Sequence, residues 1–177
     1  MTFKQIANKA QAILDELSID SLPIPIEEMV KRRGLNIKPS LLGDGVSGIL
    51  VIENNIGTIG YNQTESLVRR RFTIAHEWAH YELHKDEDKL FVDKYFRVSF
   101  RSQAKGSGPD NEKTLRQERE ANAFAAVILM PETLLMKEIK KIKFLDLGSE
   151  ATSKELAKKF NVSSAAMYYR MANLNLL

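Results

Sequence analysis

The sequence contains no cysteine and only three histidines among its 177 residues. The first absence excludes a disulfide scaffold, a thiolate-ligated zinc site and cysteine catalysis. Metal ligation is left to imidazole and carboxylate, so the placement of so few histidines carries information. Glycine (9) and proline (5) are sparse and 44% of residues are hydrophobic, which excludes collagenous, low-complexity and wholly disordered chains. No apolar run reaches bilayer length, and MTFKQIANKAQAILDEL at the start breaks its apolar residues with polar ones every few positions. Neither a membrane helix nor a secretory signal is expected, which points to the cytoplasm. A net charge of +3, from 26 basic and 23 acidic residues, is too mild to declare a nucleic-acid or membrane partner. The length suits one compact domain with a small appendage.

What is present reads first as organisation. Ile6, Ala10, Ile13, Leu14 and Leu17 share one face of a helix over about residues 3–17. Pro23 and Pro25 force an extended entry into a short helix, Ile26 to Arg33, which Gly34 ends. Leu35–Lys38, Gly48–Ile52 and Ile56–Tyr61 have strand character, and Glu53, Asn54 and Asn55 favour a tight turn. A hairpin within a small antiparallel sheet is expected. A second helix-compatible run extends from Thr64, read as its N-cap, to about His84. Residues 85–110 read as a long surface excursion with one strand at Phe96–Phe100. A further helix runs from about Asn111 to Met130, where Pro131 closes it or opens the next. Two short helices, around Ser153–Phe160 and Ser163–Asn173, complete the chain.

The chemistry concentrates in His76-Glu77-Trp78-Ala79-His80, an H-E-x-x-H sequence inside the second long helix. Histidines at i and i+4 share a face with Cβ atoms roughly 5–6 Å apart. From there both imidazoles reach one zinc ion at about 2.0–2.1 Å. Glu77 points to the edge of that face, where it can take a proton from a water without being a ligand, the position of a general base. A catalytic zinc needs a third protein ligand. His84 lies eight residues from His76, about 12 Å along a helix, and one ion cannot hold both. His84 therefore reads as a helix-end residue or a hydrogen-bonding group behind the ligands. Asp86 is a weak alternative, because Leu83 stands where a turn-making glycine would be needed. The better source is Glu118-Arg119-Glu120-Ala121-Asn122, where Glu118 and Asn122 share a face and small Ala121 and Ala125 admit a close helix. Glu118 can supply the carboxylate, with Glu120 as fallback, while the Asn122 side-chain oxygen accepts the free ring N–H of a zinc-bound histidine.

Val68-Arg69-Arg70-Arg71-Phe72-Thr73-Ile74-Ala75 leading into the H-E-x-x-H, then Leu83-His84, then Glu118-x-Glu120-Ala121-Asn122-x-Phe124-Ala125 and Ile128-Leu129-Met130-Pro131, resembles the ImmA/IrrE family of zinc metallopeptidases. The resemblance extends upstream to Pro25–Glu28, to Lys31–Gly34 and to Gly48-Ile49, and so covers most of the chain. It implies an α+β, zincin-like core with an active-site helix over residues 1–147, and zinc held by His76, His80 and Glu118 with Glu77 as base. It further implies action on, or antagonism of, a helix-turn-helix repressor of phage, mobile-element or stress-response genes. Trp78 stands at a position usually held by a smaller residue, so its bulk is expected to bear on substrate fit. Residues 148–177 resemble a helix-turn-helix with Leu156, Phe160, Val162 and Met167 as its core, departing from the pattern at Asn161 and Arg170. A DNA-binding role would place Lys158, Lys159 and Arg170 on phosphates. The mild net charge favours instead helices packed on the core. The competing class is a non-catalytic zinc-containing regulator that binds DNA or a repressor through these helices.

Overall fold

The computed structural model describes residues 1–43, 45–94, 109–142 and 146–177. In chain order these form α1 (Phe3–Glu16), α2 (Ile26–Arg32), β1 (Asn36–Ser40), β2 (Val46–Glu53), β3 (Ile56–Asn62), α3 (Leu67–His84), β4 (Leu90–Lys94), α4 (Pro109–Leu129), α5 (Glu132–Ile139), α6 (Glu150–Phe160) and α7 (Ser164–Asn173). The class is α+β, with a four-stranded sheet among helices.

Thr2 and Gln5 open α1 with a capping box, each side chain accepting the other's backbone N–H, and Ile6, Ala10, Ile13 and Leu14 turn its apolar face inward. The strand order is β1-β3-β2-β4, and the sheet is mixed rather than antiparallel throughout. Asn54 and Asn55, at φ 50 and 64, supply the left-handed pair that a two-residue hairpin turn needs between β2 and β3. The chain reverses once after β1 and again at this hairpin, so β1, seated beside β3 and not β2, runs parallel to it. The expected strand at Phe96–Phe100 lies outside the described residues. β4, inside the stretch whose sequence reads as surface excursion, is instead a strand that pairs antiparallel with β2 at the sheet's other end. Its alternation is inverted for a sheet edge: Leu90 and Val92 are exposed while Phe91 and Asp93 face inward.

α3 begins later than the sequence indicates. Ser66, not Thr64, caps it by accepting from the Arg69 N–H, while the Thr64 N–H and hydroxyl both donate to Asn62 Oδ1 and close a turn after β3. α4 starts at Pro109 and α6 at Glu150, the latter capped by Ser149. Trp78, Phe124, Ile74, Leu50, Ile59 and Met29 lie in one apolar cluster that also includes Leu156, Phe160, Met167 and Met171 of the two last helices. Burial of this many large side chains is the main stabilising contribution, at about 25 cal/mol per Å² of apolar surface removed from water.

Two buried arginines join segments distant in sequence. Arg71 donates from Nη2 to the Ile24 carbonyl at 2.7 Å and from Nε to the Asn161 carbonyl at 3.3 Å. It thereby joins the approach to α2, the helix α3 and the turn between α6 and α7. Asn161 sits at φ 52, ψ 52, a left-handed helix end that asparagine tolerates where glycine is the commoner choice. Arg170 donates from Nε to the Met130 carbonyl at 3.0 Å and is 4% exposed. It is turned into the protein, so the phosphate contact that a DNA-binding reading requires of it is not available.

Replacing Arg71 by methionine keeps its apolar stem but leaves buried carbonyls without a donor. Hydrogen bonds to charged groups contribute roughly 1.5–3 kcal/mol each, so for the two bonds a loss of about 3–6 kcal/mol is expected. Urea denaturation would read this as a lowered midpoint at unchanged slope. An unshifted midpoint would show that Arg71 does not join these segments energetically.

Candidate metal centre

The centre forms where α3 and α4 cross. Asn122 meets His76, Glu118 meets His80, and Gln117 meets Asp88, so the two helices run in opposite directions. Small Ala121 and Ala125, both fully buried, allow the close approach.

Three acceptor groups converge there. His76 Nε2 and His80 Nε2 lie 3.1 Å apart, and Glu118 stands 3.3 Å from each, Oε2 toward His76 and Oε1 toward His80. The hydrogen bonds behind the rings decide which nitrogens carry protons. His76 Nδ1–H donates to Asn122 Oδ1 at 3.1 Å, which leaves its Nε2 as a lone pair. The second ring is fixed through two steps. His84 Nε2–H donates to Glu120 Oε2 at 2.9 Å, so its Nδ1 is free to accept from His80 Nδ1–H at 3.1 Å. That leaves His80 Nε2 as a second lone pair aimed at the same point. Phe91 of β4 stacks on the His80 ring at 4.5 Å and 22°.

Two lone pairs and a carboxylate facing one another repel unless a cation lies between them. The separations of 3.1–3.3 Å match the edge of a tetrahedron around an ion with bonds of about 2.0–2.1 Å, which is about 3.3 Å. His76, His80 and Glu118 could therefore hold a metal ion, and this donor set with one side open to a cavity suits zinc.

Glu77 supplies a second test of that fit. It is fully buried, and among the described residues neither carboxylate oxygen has a well-formed hydrogen-bond partner, the backbone N–H of Asp93 being an approaching donor. Such a group is costly unless something polar occupies the space beside it. Burial pushes its pKa up to about 8, with the charges of Asp93 and Glu118 adding to the rise and His76 and the Asp93 backbone N–H opposing it. β2 approaches α3 closely enough that a Cβ on Gly48 would lie 2.4 Å from Thr73 Cγ2 and 2.9 Å from Glu77 Oε1. Gly48 thus lets the sheet wall in the Glu77 carboxylate. Burial alone would lower the His76 pKa, but Glu118 and Glu77 raise it above the ordinary value. For His80 burial prevails and the pKa falls, despite Glu118. Burial would raise Glu118, yet wherever no cation lies between the groups a proton on the facing histidine nitrogens hydrogen-bonds it and holds it well below the usual carboxylate range.

Other residues stand apart from the three converging groups. Glu120, the fallback ligand, does not join them; it meets His84, with the Met1 ammonium and Arg116 as further neighbours. Trp78 does not border the site. It is completely buried, edge-on to Phe124 at 5.7 Å, with Nε1–H donating to Glu82 Oε1, so its bulk serves the core and the expected influence on substrate fit has no geometric basis. The sequence offered no reason to single out Phe91 or Asp93, both on the unforeseen β4, or Arg69, which pairs with Asp93 and Glu65. Arg69, Asp93 and Phe72 line a cavity of 240 Å³ together with His76, Glu118 and Asn122. A second hollow of 320 Å³, between β4 and α4, shares Glu118 with it.

With this geometry in view, the comparisons are specific. A profile of the Peptidase_M78 family, described as an IrrE N-terminal-like domain, matches residues 30–172. The chain belongs to this family of zinc metallopeptidase-like proteins. Among solved structures it is similar to a Mycobacterium tuberculosis transcriptional regulator, with a TM-score of 0.62 at 15% identity over 95% of this chain. That likeness is one of fold. The chain spans 47% of that regulator's length. No curated protein matches the sequence. Among the described residues no helix is long and apolar enough to cross a membrane.

The hydrogen-bond relay behind His80 makes a graded prediction. His80→Ala and Glu118→Gln each remove a converging group and should abolish tight metal binding. Glu120→Gln and His84→Ala should weaken it by about 10–100-fold, the usual worth of groups that orient a ligand. Titration with Zn²⁺ against a chromophoric chelator measures each affinity. Unchanged affinity in Glu120→Gln would exclude the relay from orienting His80.

Proposed function

We propose that the protein is a zinc-dependent endopeptidase of the cytoplasm that hydrolyses a peptide bond in a helix-turn-helix transcriptional repressor. The observation that carries the catalytic part is Glu77: a fully buried carboxylate that, among the described residues, has no side-chain hydrogen-bond partner, beside three converging acceptor groups. A structural carboxylate would be paired or exposed. One placed to receive a proton from a water needs this unoccupied hydrogen-bonding capacity.

In this reading His76, His80 and Glu118 hold zinc and Glu77 is the general base. When bound, zinc lowers the pKa of a coordinated water and polarises the carbonyl under attack. Glu77 accepts the proton of the attacking water on a carboxylate oxygen and passes it to the leaving amine nitrogen. Asn122 and the His84–Glu120 relay keep both ligand rings in the required tautomer. Phe91 and the sheet wall restrict water around His80 and Glu77.

Membership of the family supports the peptidase class, and the family resemblance supports a repressor as substrate. The similar solved structure is itself called a transcriptional regulator, which fits a role in gene control. DNA is the less favoured partner: Arg170 is buried on the Met130 carbonyl, and Lys159 is paired with Glu138 and Glu155. Of the three cations a phosphate-binding reading needs, only Lys158 is left without such an engagement among the described residues.

Glu77→Gln tests the base. The amide preserves shape but cannot accept the proton, so zinc content should persist while cleavage of a helix-turn-helix repressor that the wild type cuts falls by about 10²–10⁴-fold. The measurements are repressor cleavage in vitro, metal content, and relief of repression in cells. Equal relief of repression by the variant would remove proteolysis as the mechanism and leave a zinc-containing regulator that acts by binding.

A further inference from the structure

We infer that α7, the second helix of the helix-turn-helix-like pair, is the specificity wall of the substrate cleft and receives a large apolar side chain next to the cleaved bond. This deepens the peptidase reading and rests on it.

The argument begins from shared walls. Phe72 and Arg69, which border the cavity around His76, Glu118 and Asn122, also border an apolar groove of 460 Å³. The far side of that groove is made by Ala166 and Tyr169 of α7, with Val162 and Met130 below. A neighbouring groove, again of 460 Å³, repeats Phe72, Asn122, Met130, Ala166 and Tyr169. The metal centre and the α7 face are thus two parts of one trench, turning around the Phe72 ring. On its other side the trench continues past Glu118 into the hollow beneath β4. A chain with a peptide bond at the centre has to extend along this trench, and its neighbouring side chain is delivered to Phe72 and α7.

The chemistry of the groove defines what fits. α7 presents Ala165, Ala166 and the 67% exposed Tyr169 to it, while its one arginine is turned inward. Small residues leave the volume open, and the two aromatic rings offer apolar contact surface. The arginines that border the two grooves are Arg69, paired with Asp93 and Glu65, Arg170, bound to the Met130 carbonyl, and Arg119 at the rim; α7 itself adds no outward cation, and an extended peptide bearing leucine, methionine or phenylalanine buries that side chain against its alanines and tyrosine. In a DNA-binding helix-turn-helix this helix would enter the major groove; here Ala166 and Tyr169 line grooves that share Phe72 with the cavity at the metal centre.

The test uses the full-length, zinc-loaded Glu77→Gln protein and fluorescein-labelled decapeptides of Gly, Ser and Lys that differ at one central residue: Ala, Leu, Phe or Asp. Fluorescence polarisation should show Leu and Phe peptides binding about tenfold or more tighter than the Ala peptide, as expected for filling an apolar pocket. Adding Ala166→Trp, which fills the groove, should erase that preference with zinc content unchanged. Tyr169→Ala alters only an exposed side chain and should reduce the preference several-fold, which guards against a packing effect of the tryptophan. Equal binding of all four peptides, absence of binding, or a preference that survives both substitutions would overturn the inference. Wild-type cleavage of the same peptides separates the two levels. Apolar preference in binding without cleavage removes the peptidase reading and leaves the cleft, while cleavage without apolar preference does the reverse.

Discussion

Three unprotonated acceptors aimed at one point inside a protein are unstable by themselves, and much of this structure is arranged to keep them there. His76, His80 and Glu118 converge to 3.1–3.3 Å, a separation at which lone pairs repel and which a bound cation turns into attraction. The rings cannot relieve the conflict by turning, because each is held from behind by a hydrogen bond. Asn122 accepts from His76, and His84, itself fixed by Glu120, accepts from His80. These constraints come from opposite helices. The spacing of α3 and α4 is therefore tied to the chemistry of the centre, and the buried alanines at their crossing permit it.

Glu77 imposes the second constraint, which comes from the sheet. A carboxylate beside this centre is useful only if bulk water is kept from it, and keeping water away requires backbone at close range. β2 provides that at Gly48, where any side chain would collide with Thr73 and Glu77. β4 adds Phe91 over the His80 ring and a half-polar inner face through Asp93. The energetic cost of a buried carboxylate with no side-chain partner among the described residues is tolerated because the surrounding core is large enough to supply it.

The parts legible in the sequence are those set by local periodicity. Histidines at i and i+4 have to share a helix face, and the closeness of His76 and His80 follows from that alone. The pairing of Glu118 and Asn122 was legible for the same reason, whereas their meeting with α3 is a long-range event that only the matched motifs indicated. What stayed illegible had misleading local chemistry. β4 hides because two of its apolar residues, Leu90 and Val92, point outward and its aspartate points inward beside Phe91. Thr64 resembles a helix cap but completes a turn at Asn62, leaving Ser66 to cap two residues on. Glu120 sits two residues from Glu118, too far around the helix to share its ion, and its use one turn along α3 at His84 depends on the direction in which the helices cross. The parallel pairing of β1 reflects which hairpin strand it joins, a choice that alternation does not encode.

The two buried arginines explain how a helix-turn-helix-like pair becomes part of the metal-site domain. In a free-standing DNA-binding module Arg170 would face solvent and the α6–α7 turn would be exposed. Here Arg170 is bound to the end of α4, and Arg71, only five residues before His76, holds the carbonyl of Asn161 in that turn. Desolvation lowers the pKa of both guanidiniums, a cost that fixed carbonyl partners offset. Because the helix that bears the histidines also carries the clamp on the turn, α7 is tied to the element that positions the metal centre. A surface tied in this way to such a centre is suited to measuring what extends from it, and the alanines and tyrosine of α7 occupy that surface.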